Sequence, residues 1–188
     1  MPGPRQLQTR VLRPIRRKDL KSTLAWHNDP QLRRATIGFP FPVTEVMEED
    51  WIERARNSSD RSKIVFAISG DSRGTIAGIA HLRDIDWIHR TCSLGILIGD
   101  KRKQRKGLGR KAVDELLEYA FRILSLRKVC VQVAGYNDSA LRLFDSCGFR
   151  REGVLRSHVF IEGGIHDMVL MAAFGKKTGK NLRARPLP

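Results

Sequence analysis

Residues 99–112 read GDKRKQRKGLGRKA: after Gly99-Asp100 come seven cationic side chains within residues 101–111, broken mainly by Gly107-Leu108-Gly109. The segment follows an apolar run, TCSLGILIG (91–99). It precedes a stretch in which Ala112, Val113, Leu116, Leu117, Ala120, Phe121 and Leu124 recur at the offsets of an amphipathic helix. A strand, a cationic loop and a helix beginning near Gly107, its first turn reaching back to Gln104, are therefore expected in that order. Free N–H groups at a helix start, glycines that let a ligand approach the main chain, and flanking Arg and Lys together suit a phosphate-bearing anion.

Two other phosphate loops fit less well. A P-loop needs G-x-x-x-x-G-K-[ST], which is absent. Gly107 to Ala112 matches the letters G-x-G-x-x-A of a dinucleotide fingerprint, but that turn follows its strand almost directly and wants an acid about 20 residues later. Here seven residues separate Gly99 from Gly107, and the downstream strand offers Val129, Cys130 and Val131.

Upstream of the quoted stretch, KIVFAIS (63–69), TIAGIAHLRDI (75–85) and TCSLGILIG are separated by GDSRG and DWIHR, the pattern of an antiparallel meander. Further upstream, Val11, Arg13 and Ile15 mark an edge strand, and RKDLKSTLAWHN (17–28) a helix ending before Asp29-Pro30. The prolines at 40 and 42 mark a loop. A helix then starts at Thr44, with Met47, Trp51 and Ile52 on one side. Downstream come a strand, KVCVQVAG (128–135), a short helix in NDSALRLFDSCGF stopped at Gly148, and a closing hairpin. The order predicts a mixed α/β fold with helices on the faces of one sheet.

At 188 residues the chain fits a single core. We expect a domain over 11–174 between a flexible segment, 1–10, and a basic flexible tail, 175–188, whose five cations carry a third of the net charge of +15. That charge favours an anionic partner: a phosphorylated cofactor, a nucleic acid or an acidic membrane. Cys92, Cys130 and Cys147 have no zinc-type spacing, so no metal is expected. No run approaches a membrane span and MPGPRQLQTR lacks the apolar core of a secretory signal, which leads us to expect a cytoplasmic protein without membrane contact.

Gln104, Gly107 and Gly109 fit [Q/R]-x-x-G-x-[G/A], and Asn137, Ala140, Phe144, Gly148 and Phe149 fit N-x-x-A-x-x-x-[Y/F]-x-x-x-G-F. In this order and spacing the chain resembles the GNAT N-acetyltransferases. The stretch EGVLRSHVFIEGGIHDMVLMA (152–172) resembles the subgroup of ribosomal-protein N-terminal and bacterial spermidine acetyltransferases. The resemblance implies a mostly antiparallel sheet flanked by about four helices, acetyl-CoA as acyl donor, and direct attack of a neutral primary amine on the thioester. It further implies that the strand of Ile96, Leu97 and Ile98 splays from its neighbour to pair with the pantetheine arm. Gln104, Arg105, Lys106, Gly107, Leu108, Gly109 and Arg110 would hold the diphosphate, with Asn137 and Phe144 near the thiol.

Two positions depart from the family pattern: Phe144 stands where many relatives carry Tyr, and Ser93 where many carry Glu. Proton-transfer help is worth about 10²- to 10⁴-fold in rate, so His81 and Tyr136 join Ser93 as catalytic candidates, with His27 and His158 behind them. Cys147 reads as a small core residue rather than a nucleophile. Trp26, Phe39 and Phe41 are candidates to line the acceptor entrance, with Trp51 behind them, and Asp84, Asp86 and Glu162 to form an acidic pocket there. A weakly equipped site and a high positive charge favour an amine of low pKa, a protein N-terminus or an amino sugar, over a polyamine. The readings of another class are a non-catalytic acyl-CoA binder and a protein that contacts the ribosome or nucleic acid. The oligomeric state is expected to be monomer or homodimer.

Overall fold

The computed structural model describes residues 10–37, 41–57 and 61–175. The expected flexible ends, 1–10 and 175–188, lie outside that range except for Arg10 and Gly175, and Phe39 lies outside it altogether.

One seven-stranded sheet has the order β1-β2-β3-β4-β5-β7-β6. The edge strand β1 (Leu12–Pro14) and the meander β2 (Ile64–Ser69), β3 (Ile76–Asp86) and β4 (Thr91–Ile98) pair antiparallel. β5 (Lys128–Ala134) runs parallel to β4, which requires a crossover. That crossover is α4 (Leu108–Glu118), extended by a π-helical turn at Tyr119–Ile123. The hairpin of β6 (Arg150–Ile161) and β7 (Gly164–Phe174) closes the sheet, with β7 beside β5.

The helical periodicity after Gly107 predicts what α4 buries: Ala112, Val113, Leu116, Leu117 and Ala120 pack on Leu82, Leu94, Val129 and Met171. Beside it lies α5 (Asp138–Ser146), capped by the Asn137 carboxamide oxygen on the Ala140 N–H and followed by Gly148 in the left-handed region at φ 89°. Truncating Leu116 or Leu117 to Ala would cost about 2–5 kcal/mol.

The opposite face is covered by α1 (Leu20–His27) and α3 (Glu45–Arg56) around Ile15, Ile52, Ala67 and Ile76, with Trp26 and Trp51 beside them. Thr44 caps α3 as expected, its hydroxyl accepting from the Met47 N–H. The face predicted for this helix is partly wrong: Met47 is 43% exposed, and Glu48 is buried in its stead. A second departure is α2 (Pro30–Thr36), where the sequence suggested only a stop and a loop. Asp29 accepts from the N–H groups of Gln31 and Leu32, and Pro30 occupies the first helical position, where its missing N–H costs nothing. The described residues thus hold five α-helices rather than about four.

Candidate active site

The sheet opens at its centre. β4 and β5 pair only from Thr91–Lys128 to Ser93–Cys130, after which β5 continues alongside β7 while β4 continues alongside β3. From Leu94 to Ile98 the main-chain groups of β4 that face β5 have no strand partner. This is the splay expected of Ile96, Leu97 and Ile98. The side chains of Ile96 and Ile98 turn into the core, so the exposed resource is main chain.

Beyond β4 the cationic loop makes a 3-10 turn at Lys101–Lys103, capped by Asp100, and enters α4 through Arg105 at φ 56° and Gly107 at φ 77°. The helix begins at Leu108, so residues 104–107 form a loop ahead of it rather than its first turn. The first helical bond is Lys111 N–H to the Gly107 carbonyl. Among the described residues the successive N–H groups from Arg105 to Arg110 have no protein acceptor. A Cβ at Gly109 would lie 3.6 Å from Leu143 and 3.8 Å from Ile98, ordinary contact distances. The protein's own packing therefore does not require glycine there, and the bare main chain is space left for a ligand. Arg105, Lys106 and Arg110 are exposed around this tip. Unpaired amides, a bare glycine and three cations fit a diphosphate. Gln104 is used differently: its Nε2 donates to the Ile98 carbonyl at 2.8 Å, pinning the loop to the end of β4.

α2 spans the open end of the splay. Near its start, Asp29 and Gln31 hold Lys101, which follows β4, at 3.1 Å and 3.0 Å. Near its end, the carbonyls of Arg34 and Ala35 accept from the Tyr136 hydroxyl and the Asn137 amide, which follow β5, both at 2.8 Å. Arg34 also pairs with Glu162 in the β6–β7 turn and lies over the Tyr136 ring. Trp26 covers the end of β4, where any Cβ at Gly99 would collide with its ring.

On the floor of the opening, the His81 imidazole lies on Gly95 of the partnered strand; a Cβ there would overlap its Nε2 and Cε1. Burial pushes His81 down from 6.5 to about 4, assisted by the charges of Lys63 and Arg83. The ring is neutral at pH 7. Ser93, two residues back on the same side of β4, is the last residue of the parallel ladder and so stands at the vertex.

Other candidates lie elsewhere. Phe144 is 5% exposed and packs edge-to-face on Phe149, inside the core under α5 rather than at the mouth. Asp84 sits in a bulge of β3 opposite the closed end of the ladder, at φ 52° and 71% exposed, and Asp86 there is engaged by His89. The acidic pocket suggested by Asp84, Asp86 and Glu162 is therefore not assembled: the first two are turned outward by the bulge and the third is paired with Arg34 across the sheet. Phe41 is exposed on the segment leading to α3. Burial raises the Tyr136 phenol above its ordinary value while its proton is given to the Arg34 carbonyl. It likewise raises Cys147 and Cys130 and pushes Cys92 up to about 12, leaving three protonated thiols. Among the described residues no three His, Cys, Asp or Glu side chains cluster as metal ligands, and no helix is long and apolar enough to cross a membrane.

The ion pairs and carbonyls of α2 were not foreseen. Asp29-Pro30 was the available signal, since an Asp before Pro is a helix start as readily as a stop.

A sequence profile described as "Acetyltransferase (GNAT) domain" matches residues 10–150. The chain is 29% identical over 161 residues to a spermidine N(1)-acetyltransferase of Vibrio cholerae, covering 86% of this chain and 90% of that protein. It is also 29% identical over 125 residues to a putative ribosomal N-acetyltransferase of Bacillus subtilis, covering 66% and 65%. Among solved structures, the V. cholerae spermidine N-acetyltransferase in complex with CoA and spermine superimposes with a TM-score of 0.80 at 28% identity, covering 87% of this chain and 94% of that one. The opened sheet, the amide-lined helix tip and these matches lead to one assignment: the chain belongs to the GNAT acetyltransferases and is an N-acetyltransferase whose acyl donor is acetyl-CoA.

Proposed function

We propose that the acceptor is an amine of low pKa, a protein N-terminal α-amine or an amino sugar. The observation that carries this reading is the state of the carboxylates around the mouth. Asp29 is tied to Lys101, Asp100 to Arg102, Glu162 to Arg34 and Asp167 to Arg156. A polyamine must be met by free negative charge, and these four are already neutralised by the chain's own cations. The net charge of +15 adds a repulsive mean field.

The proton cost points the same way. Neutralising a lysine-like amine of pKa about 10.4 at pH 7 takes roughly 4.6 kcal/mol, against about 1.1 kcal/mol for an α-amine near 7.8. Acetyl-CoA supplies an acyl carbon activated as a thioester. The chain's part is to bind and orient. The β5-facing main chain of Leu94 to Ile98 pairs with the extended arm, and the amides of Arg105 to Arg110 receive the diphosphate. α2 with Trp26 and Phe41 borders the path of the amine. Ser93 and His81 stand at the vertex, where they order water around the reacting nitrogen. With Phe144 in the core, Tyr136 is the nearest phenol, and it serves as proton donor to the thiolate only after releasing the Arg34 carbonyl.

A polyamine acceptor is the second reading, favoured by relatives named spermidine N-acetyltransferases. Release of the CoA thiol, followed side by side with N-terminal peptides, amino-sugar nucleotides and spermidine, separates the two. An α-amine or amino sugar should show the highest kcat/KM; spermidine as the best substrate would defeat the low-pKa reading. Contact with a ribosome, which a basic tail would favour, is checked in the same panel by ribosomal-protein N-terminal peptides.

A further inference from the structure

Three elements remote in sequence meet on the β5 side of the open end of the splay. Tyr136 follows β5, Arg34 lies in the second half of α2, and Glu162 stands in the β6–β7 turn. The Tyr136 hydroxyl donates to the Arg34 carbonyl at 2.8 Å, and the ring meets His166 edge-to-face at 4.7 Å, so its orientation is set from two sides. Over this ring lies the Arg34 guanidinium, 5.4 Å from the centroid. Its Nη1 donates to Oε2 of Glu162 at 2.9 Å. A carboxylate and an aromatic face converging on one point make a site for a cation. Here the cation is the chain's own.

Stability does not account for the arrangement. Both side chains of the pair are 53% exposed, and a pair so exposed adds little to folding. Glu162 also breaks a local rule. It and Gly163 are the two residues between the paired Ile161 and Gly164, at φ 49° and 82°. A two-residue turn with both centres in the left-handed region favours Asn, Asp or Gly at the first of them. A glutamate sits there against the preference of the backbone. What the longer side chain brings is a carboxylate that reaches across to α2.

We infer that Arg34 is a specificity-determining residue: it fills, from within the chain, a cation subsite formed by the Glu162 carboxylate and the Tyr136 ring, and so denies that subsite to a second cationic group of the acceptor. The ligand class of the subsite is an ammonium or guanidinium carried on the acceptor away from its reacting amine. An acceptor with a single amine loses nothing while Arg34 is in place. A polyamine has to displace a tethered guanidinium, whose effective concentration at the subsite a free amine does not match. Arg34 takes no part in the acyl transfer itself. The inference rests on the proposed path of the amine past α2, and it goes beyond the low-pKa reading by naming a group that enforces it.

The test is the ratio of kcat/KM for spermidine to that for the best single-amine acceptor of the panel, followed by thiol release within each variant, so that effects on the chemical step cancel. Arg34→Ala should raise this ratio about 5-fold, the worth of an exposed ion pair and cation–π contact together, with acetyl-CoA affinity by calorimetry unchanged. Arg34→Met keeps the aliphatic stem, guards against a loss of α2, and should give the same rise. Arg122→Ala removes a comparably exposed cation and frees Glu118 at the far end of α4; the ratio should stay within about 2-fold of the wild type, since a charge so far off is screened. Adding Tyr136→Leu to Arg34→Ala keeps the charge, removes the ring and should abolish most of the gain. A ratio unchanged in either Arg34 variant, an equal rise in Arg122→Ala, or a rise that survives Tyr136→Leu in full overturns the inference. Failure of the low-pKa reading would show instead in the wild type, as a ratio already above one.

Discussion

The two sides of the open sheet are made of different material. On the β4 side, the groups proposed for recognition are main chain: among the described residues, strand groups from Leu94 to Ile98 without a strand partner, then amides from Arg105 to Arg110 without a protein acceptor. On the α2 side they are side chains that are already engaged: Lys101 with the Asp29 carboxylate, and the Tyr136 hydroxyl and Asn137 amide with the main-chain carbonyls of Arg34 and Ala35. A donor used by every member of a family can be read by backbone, which is indifferent to most substitutions. An acceptor that differs between members has to be read by side chains.

Substituting the main-chain side at its two glycines should give the largest effects. Gly109→Val puts carbon where packing has room and a diphosphate is expected, so calorimetry should show acetyl-CoA affinity down by about 10²-fold or more, roughly 3 kcal/mol, with the melting temperature little changed. Gly107→Val forces a β-branched residue to φ 77° and should cost about 1–2 kcal/mol of stability as well. Equal donor affinity in both variants and the wild type would break the contrast.

His81, between the two sides, predicts an acid-dependent loss. Its folded value of about 4 lies below the ordinary 6.5, so between those values the unfolded chain binds the extra proton. Stability is full above pH 6.5 and falls as the pH drops towards 4, by about 1.4 kcal/mol per unit of difference between folded and unfolded values. Denaturant titrations of the wild type and His81→Gln should converge as the pH falls through this window; parallel curves would remove the buried neutral imidazole from the account.

A smaller effect is expected at Asn137, which caps α5 and anchors α2. Asn137→Ala should cost about 1 kcal/mol in the melt, and steady-state kinetics should show acceptor KM rising more than donor KM. The smallest belongs to Arg34→Ala: its pair with Glu162 is half-exposed on both partners and is worth about 0–1 kcal/mol. Donor affinity should stay unchanged while acceptor preference shifts towards more cationic amines, because Glu162 is released.

Much of the fold on the side proposed to take the donor was legible in the sequence because its requirements are local. A period of 3.6 places α4, Gly107 marks the turn into it, and Asn137 marks the start of α5. The acceptor side depended on contacts between residues far apart. Nothing near Glu48 announces burial, since a Glu in an amphipathic helix normally faces water, and its place is set by His27 twenty-one positions away. Gln104 belongs to the recognised motif, yet its amide bonds to Ile98, a role visible only once the loop is folded. Phe144 matched a family position on spacing alone, and packing against Phe149 decided its surroundings.

A seven-stranded sheet ordinarily has two rims, here β1 and β6. The divergence of β4 from β5 gives this one a third, set in its interior and sheltered by α2. An extended donor arm lying there would act as a temporary strand and close the rim. Amide hydrogen exchange at alternate positions of β4 beyond Ser93 should then slow when the donor binds, while the outer rims keep their rates.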